Sequence, residues 1–257
     1  MPQSITVTRA GDVTTIALAR PDKLNAIIPA MLDEIGAAAD AAVAEGVRAL
    51  VLTGEGRFFC SGADIAGDGG LPEDLGALID AHYNPLVLKL AALPIPIVTA
   101  LNGPAAGAGL SLALSGDIVI AAESAYLLLA FVNIGLVPDA GATWLVARSL
   151  GRARALEMAL LGERLPAAEA KAAGLVTRVV ADGEVLATAQ AIAAKLAAGP
   201  TKAIGAIRRQ VAHALDHGFA ETLATERDNQ RQMGRTADFR EAITAFAEKR
   251  KPTFRGA

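Results

Sequence analysis

The spacing of apolar positions changes period several times along the chain, and each change predicts an element. Ile5 to Thr8 and Val13 to Leu18 are short strand-like runs joined across Gly11-Asp12, which predicts a β-hairpin. Ile28, Met31, Leu32, Ile35, Ala39, Ala42 and Val43 then recur at helical spacing, and Ala49 to Leu52 is the continuous apolar run of a strand buried on both faces. The alternation repeats, with helices predicted over Leu75 to Leu93, Gly107 to Ser115 and Ala140 to Leu150, and strands over Ile95 to Leu101 and Ile118 to Ala122. Such a succession gives an α/β fold with its turns gathered at one end of the strands. After a last edge strand at Val176 to Val180 the pattern becomes helical, in segments 185–196, 203–215, 219–233 and 239–246 broken by Gly199-Pro200 and His217-Gly218. We therefore expect an α/β core over 1–198 and a helical region over 199–257.

Composition narrows the class. A chain of 257 residues with 53% hydrophobic residues can bury a sizeable core. No apolar run reaches the roughly 18 to 20 residues needed to span a bilayer, and the start Met1-Pro2-Gln3-Ser4 has no signal-peptide character, so a cytoplasmic protein without a membrane partner is expected. Its formal charge of −3 argues against a nucleic-acid partner. The single cysteine, Cys60, excludes an internal disulfide and reads as a small buried residue.

Two glycine-rich turns change the picture. Phe59-Cys60-Ser61-Gly62-Ala63-Asp64-Ile65 follows the strand at 50–53, and Asn102-Gly103-Pro104-Ala105-Ala106-Gly107-Ala108-Gly109 follows the strand at 95–101. Small side chains leave the backbone uncovered, so two such turns can aim two N–H groups at one point. Paired donors of that kind stabilise charge developing on a carbonyl oxygen, and losing one costs about 3 kcal/mol of barrier. The chemistry indicated is that of an acyl or thioester group.

The order of motifs resembles a known family. Arg20-Pro21-Asp22-Lys23-Leu24-Asn25-Ala26, Ser61-Gly62-Ala63-Asp64-Ile65, Asn102 to Gly109, Gly135-Leu136-Val137-Pro138-Asp139-Ala140-Gly141 and Glu248-Lys249-Arg250-Lys251-Pro252 resemble the crotonase superfamily of enoyl-CoA hydratases and isomerases over nearly the whole chain. The resemblance implies a spiral of ββα turns with C-terminal helices that assemble a homotrimer or a dimer of trimers. It also implies an acyl-CoA thioester as substrate with no separate cofactor or metal, and an oxyanion hole made by the N–H groups of Ala63 and Ala108. The loop carrying Lys23, Leu24 and Ala26, with Asp64 and Ile65, would line the coenzyme A channel, and Gly107, Phe131 and Pro138 would line the acyl pocket. Lys249 in the basic tail would approach the phosphates of a coenzyme A bound by a neighbouring subunit; read from the residues alone, the cluster Lys249, Arg250, Lys251 and Arg255 is either a local patch for an anionic ligand or a solvated helix end.

Asp139 is the acid to single out. Amid apolar and small neighbours it reads either as a general base, its pKa raised by desolvation, or as the N-cap of a helix beginning at Ala140. By resemblance, the two glutamates that activate water in hydratases fall at Ser111 and Phe131, so both are missing. An Asp at 139 resembles instead the isomerases that rearrange ring-epoxidised phenylacetyl-CoA and shift 3-enoyl-CoA double bonds. It also resembles the aryl-CoA dehalogenase, where the carboxylate is a nucleophile, and loss of both glutamates leaves open a non-catalytic acyl-CoA-binding scaffold.

The remaining candidates read as structural. Ser111, Asp139 and His213 stand in the chain order of a hydrolase triad, but the serine lacks the second glycine of a nucleophile elbow. His213 and His217 fall on the side of their helix away from an expected buried stripe of Ile204, Ile207, Val211 and Leu215. Asp64 is suited to closing a turn, and His82 and Tyr83 bear on pocket size. The Gly-rich acidic run at 67–74 suggests a lid.

Overall fold

A computed structural model describes residues 4–65 and 72–257. Most of the run expected to be a lid, and the first three residues, lie outside the described residues. The predicted hairpin forms from β1 (Ile5–Ala10) and β2 (Val13–Leu18), paired antiparallel across the turn at Gly11. Every β2 residue is buried, including Thr14 and Thr15, because helices and strands cover both of its faces. Helix α1 (Pro29–Ala44) buries Met31, Leu32, Ile35, Ala39 and Ala42, the stripe its spacing predicts. Strand β3 (Ala49–Gly54) then pairs parallel to β2.

The expected helix over 75–93 is divided. It comprises α2 (Leu75–Leu78), a π-turn (Ile79–Tyr83) and α3 (Asn84–Ala92). Asn84 N–H donates to the carbonyl of Ile79, five residues back. Pro85 explains the change, since its ring clashes with the carbonyl four residues earlier and it has no N–H to continue an α-helical ladder.

From here each turn of chain lays one strand in a large sheet and the next in a small one before a helix follows. Strand β4 (Ile97–Leu101) joins the large sheet, β5 (Ala105–Ala106) the small one, and α4 (Ala108–Leu114) follows. Strand β6 (Ile118–Ala122) and strand β7 (Tyr126–Leu128) repeat the step before a 3₁₀ turn (Ala130–Ile134) and α5 (Ala142–Leu161). With β8 (Arg164–Pro166), α6 (Ala167–Ala172) and β9 (Arg178–Val180), the large sheet has the order β1-β2-β3-β4-β6-β9 and the small sheet β5-β7-β8. This is the ββα spiral implied by the resemblance, and β9 is the expected edge. The small sheet was not legible in the pattern, because strands of two and three residues show no period.

Helix α5 begins two residues later than expected and continues further. Ala140 and Gly141 both hold positive φ, at 48° and 84°, so helical geometry cannot start before Ala142. A bend at Gly151 (φ 73°) carries the chain on to Leu161.

The C-terminal helices are α7 (Val185–Ala197), α8 (Thr201–Asp216), α9 (Phe219–Met233) and α10 (Ala237–Ala247). Helix α7 packs on β3, β4 and β6. The stripe expected to be buried on α8 is not. Ile204 is half-buried, and Ile207, Val211 and Leu215 are 57%, 57% and 47% exposed. The helix approaches the core through its small residues instead, since a Cβ on Gly205 would lie 2.2 Å from the carbonyl oxygen of Pro94. Arg208 fixes the same side, donating to Asp117 at 2.6 Å and to the carbonyl of Leu90 at 3.1 Å. His213, on the side away from that stripe, is half-buried: it stacks on His217 at 3.6 Å, and its Nε2 is enclosed.

Candidate active site

The two glycine-rich turns pack directly against each other. Ala106 N–H donates to the carbonyl of Cys60 at 2.9 Å, and Phe59 and Cys60 N–H both reach the carbonyl of Pro104 at 3.2 Å. Glycine is required where they touch, because a Cβ on Gly109 would sit 2.7 Å from Cβ, Sγ and the carbonyl oxygen of Cys60. Asn25, fully buried with φ 55°, ties a third loop to this floor: its amide donates to the carbonyls of Glu55 and Phe58, both at 2.8 Å, and its carbonyl accepts from Cys60 Sγ. Burial pushes the Cys60 thiol up to about 12, so it is a packing residue and not a nucleophile.

Within this dense floor, two N–H groups are left over. Gly62 and Gly107 take positive φ, and the neighbouring backbone groups are consumed: Ile27 N–H donates to the carbonyl of Gly62, Asp64 N–H to Ile27, and Gly107 N–H to Leu128. Neither Ala63 nor Ala108 N–H donates to another described residue. Ala108 is the first residue of α4, where the helix has no internal acceptor to offer. Both alanines open into one cavity of about 440 Å³.

Asp139 lies on the wall of that cavity and is the one carboxylate among the described residues lining it. Its Oδ1 is enclosed without a hydrogen-bond partner. Burial raises its pKa from 3.8 to about 6, against a smaller opposing effect of its own backbone N–H. The N-cap reading of Asp139 fails, since α5 starts at Ala142 behind Gly141 and no side chain caps it. The backbone carbonyl of Asp139, by contrast, is firmly held: it accepts from Ala142 N–H at 2.9 Å and from Ser111 Oγ at 3.1 Å. Ala140, a buried non-glycine residue at φ 48°, makes the turn strained, at about 1–3 kcal/mol.

These contacts dispose of the hydrolase triad. Ser111 Oγ serves the Asp139 backbone, His213 stacks on His217, and the two do not bond. Other predicted residues divide. Ile65, Gly107, Phe131 and Pro138 join Ala63, Ala108 and Asp139 at the cavity, whereas Lys23, Leu24, Ala26, Asp64 and Lys249 do not line it. Asp64 is held by Arg20 at 2.9 Å, the carbonyl of Leu24 accepts from Ser61 N–H, Ala26 is buried, and Lys23 is exposed on the loop. Lys249 is exposed just past α10. Of the pair His82 and Tyr83, only Tyr83 lines the cavity; His82 turns to Asp33 at 3.1 Å. Leu78, Ile79 and Ile134 are lining residues that sequence reasoning missed; the apolar character of 75–79 is a signal that could have found the first two.

Comparison with known proteins agrees with this geometry. Residues 8–257 match the model of a family described as enoyl-CoA hydratase/isomerase. The chain belongs to that family. It is 44% identical over 249 residues to the 1,2-epoxyphenylacetyl-CoA isomerase of Escherichia coli K12, covering 95% of each chain. It is 34% identical over 251 residues to the 2,3-dehydroadipyl-CoA hydratase of the same strain, covering 97% of this chain and 98% of that one. Among solved structures, the enoyl-CoA hydratase of Bacillus anthracis superposes with a TM-score of 0.94 at 32% identity, over 99% of this chain and all of that one. Enoyl-CoA hydratase/isomerase relatives thus carry both activities in their names, and the wall of the cavity is where this member is to be read.

Proposed function

We propose that this enoyl-CoA hydratase/isomerase family member is an acyl-CoA isomerase that works through an enolate, moving a 3-enoyl double bond to the 2-position or rearranging a ring-epoxidised phenylacetyl-CoA. The observation that carries this reading is that Asp139 is the single carboxylate among the described residues of a largely apolar cavity. With a pKa near 6, Asp139 is ionised at neutral pH yet basic enough to take a proton from C2 of a thioester. The N–H groups of Ala63 and Ala108 would hold the enolate oxygen, and protonated Asp139 would return the proton at another carbon. The pair of donors and the unpartnered Oδ1 support these roles. The similarity to an epoxyphenylacetyl-CoA isomerase supports the second substrate, and Phe131 offers a ring a flat apolar wall.

Coenzyme A enters as part of the substrate, and the chemistry asks for no further cofactor. The loop with Lys23, Leu24 and Ala26, together with Asp64 and Ile65, is assigned to the coenzyme A channel. The helical region is assigned to assembly as a homotrimer or dimer of trimers. Phe219, Phe246 and Ile243, 80%, 85% and 56% exposed in the single chain, support a covered face there, and assembly would bring Lys249 to a neighbour's coenzyme A. No helix among the described residues is long and apolar enough to cross a membrane, in keeping with a cytoplasmic enzyme.

Several relatives are named hydratases, which supports a second reading, weak addition of water across a 2-enoyl-CoA. Water addition is better served by two carboxylates, one to orient the water and one to move its proton, and the described residues of this cavity supply one. Incubating 3-hexenoyl-CoA and crotonyl-CoA separately with the protein and resolving products by chromatography tests the choice. The isomerase yields 2-hexenoyl-CoA from the first and leaves the second unchanged; 3-hydroxybutyryl-CoA as the faster product would overturn it.

A further inference from the structure

The π-turn Ile79–Tyr83 puts a phenol into the cavity, beside the Ser61 hydroxyl and the Asp139 carboxylate that also line it. It shifts the helical phase so that His82 faces Asp33 while the ring of Tyr83, 5% exposed, lines the same cavity as Asp139. The Tyr83 hydroxyl makes no hydrogen bond to another described residue, and Asp139 Oδ1 has no partner either. On the lining of an open cavity, the hydroxyl is placed to donate to a polar group that arrives with the ligand.

Burial, with the nearby Asp139 carboxylate and Cys60, pushes the Tyr83 phenol up to about 12, so it stays protonated and acts as a donor. We infer that Tyr83 is a specificity-determining residue that donates to a neutral oxygen carried by the acyl group, so that the site selects oxygenated acyl chains over plain hydrocarbon ones. The acceptor is of hydroxyl, carbonyl or cyclic-ether type. An anionic substituent is excluded by the ionised Asp139 on the same wall. The division of labour follows from the chemistry of the two groups: Asp139 accepts a proton from carbon, and Tyr83 holds an oxygen that the apolar walls would otherwise leave desolvated.

This inference rests on the acyl-thioester reading above, and a binding experiment separates the two. Phenylacetyl-CoA, 2-hydroxyphenylacetyl-CoA and free coenzyme A are titrated calorimetrically into the wild type and Tyr83→Phe. The wild type is expected to bind the hydroxylated thioester about tenfold more tightly than phenylacetyl-CoA, and Tyr83→Phe to lose that preference while keeping its affinity for phenylacetyl-CoA. Tyr83→Phe removes a hydroxyl that bonds no other described residue, so the thermal midpoint should stay close to that of the wild type and a folding defect is not expected to confuse the result. Equal binding of the two thioesters by the wild type, or a preference that survives in Tyr83→Phe, overturns the inference alone. Failure of both thioesters and of coenzyme A to bind overturns the acyl-thioester reading and this inference with it.

Discussion

The floor and the wall of the cavity are built on opposite plans. The floor, where Cys60 to Gly62 meets Ala106 to Gly109, is stitched by backbone hydrogen bonds at 2.8–3.2 Å and sealed by a glycine that admits no Cβ. Its left-over N–H groups are fixed by the fold itself. The wall, from Phe131 to Gly141, has a 3₁₀ turn, positive φ at Gly135, Ala140 and Gly141, and apolar side chains such as Val137 at 79% exposure. Its carboxylate has an unsatisfied oxygen. The contrast teaches that a densely bonded backbone can leave two N–H groups facing a cavity, while the neighbouring segment sets which side chain faces them.

The comparison can be broken most sharply at Asp139. Asp139→Asn should lower turnover of 3-hexenoyl-CoA by about 10²–10⁴-fold with thioester binding retained, as read by steady-state kinetics beside calorimetry. Retained turnover would mean that the wall does not supply the base. The pH profile comes next. Because the base must be ionised, kcat/KM should fall about tenfold per unit as pH drops below about 6 and be flat above it, a limb that substrate binding alone would not produce.

The floor should respond in stability instead. Gly109→Ala forces a Cβ to within 2.7 Å of the Cys60 backbone and side chain. We expect a loss of about 1–3 kcal/mol in chemical denaturation, with the pH limb of the surviving enzyme unmoved.

The smallest effect separates the two regions by sign. The Asp139 pKa is higher folded, at about 6, than its ordinary 3.8, so between those values the folded state keeps a proton that the unfolded state has lost. Stability from this group is complete below the lower value and is lost as pH rises through the upper one. Asp139→Asn should therefore be more stable than the wild type above pH 6, by about 1–2 kcal/mol after allowing for solvent screening of a half-buried group. Denaturation at pH 5 and pH 7.5 checks that the advantage grows with pH.

What the sequence made legible follows this division. Periodic segments such as Met31 to Ala42 and Val13 to Leu18 were readable because burial acts at every turn or alternate residue. The floor was readable because Gly62 and Gly109 are demanded by the close approach of backbones and Gly107 by its positive φ. The wall was only partly readable. Asp139 stood out by its isolation, but helix-capping and proton transfer place an Asp in the same local pattern, and positive φ at Ala140, which rules out the cap, leaves no mark in an alanine. The α8 stripe of Ile207, Val211 and Leu215 misled for a related reason: periodicity shows which side is apolar, not whether the same chain covers it.

The most direct test of the central claim is exchange at C2 without net reaction. Phenylacetyl-CoA incubated in heavy water with the wild type and with Asp139→Asn is followed by proton NMR of its methylene signal. The account predicts loss of that signal with the wild type and its persistence with the variant, both proteins binding the thioester. Exchange that continues in Asp139→Asn, or is absent from a wild type that binds, would contradict it.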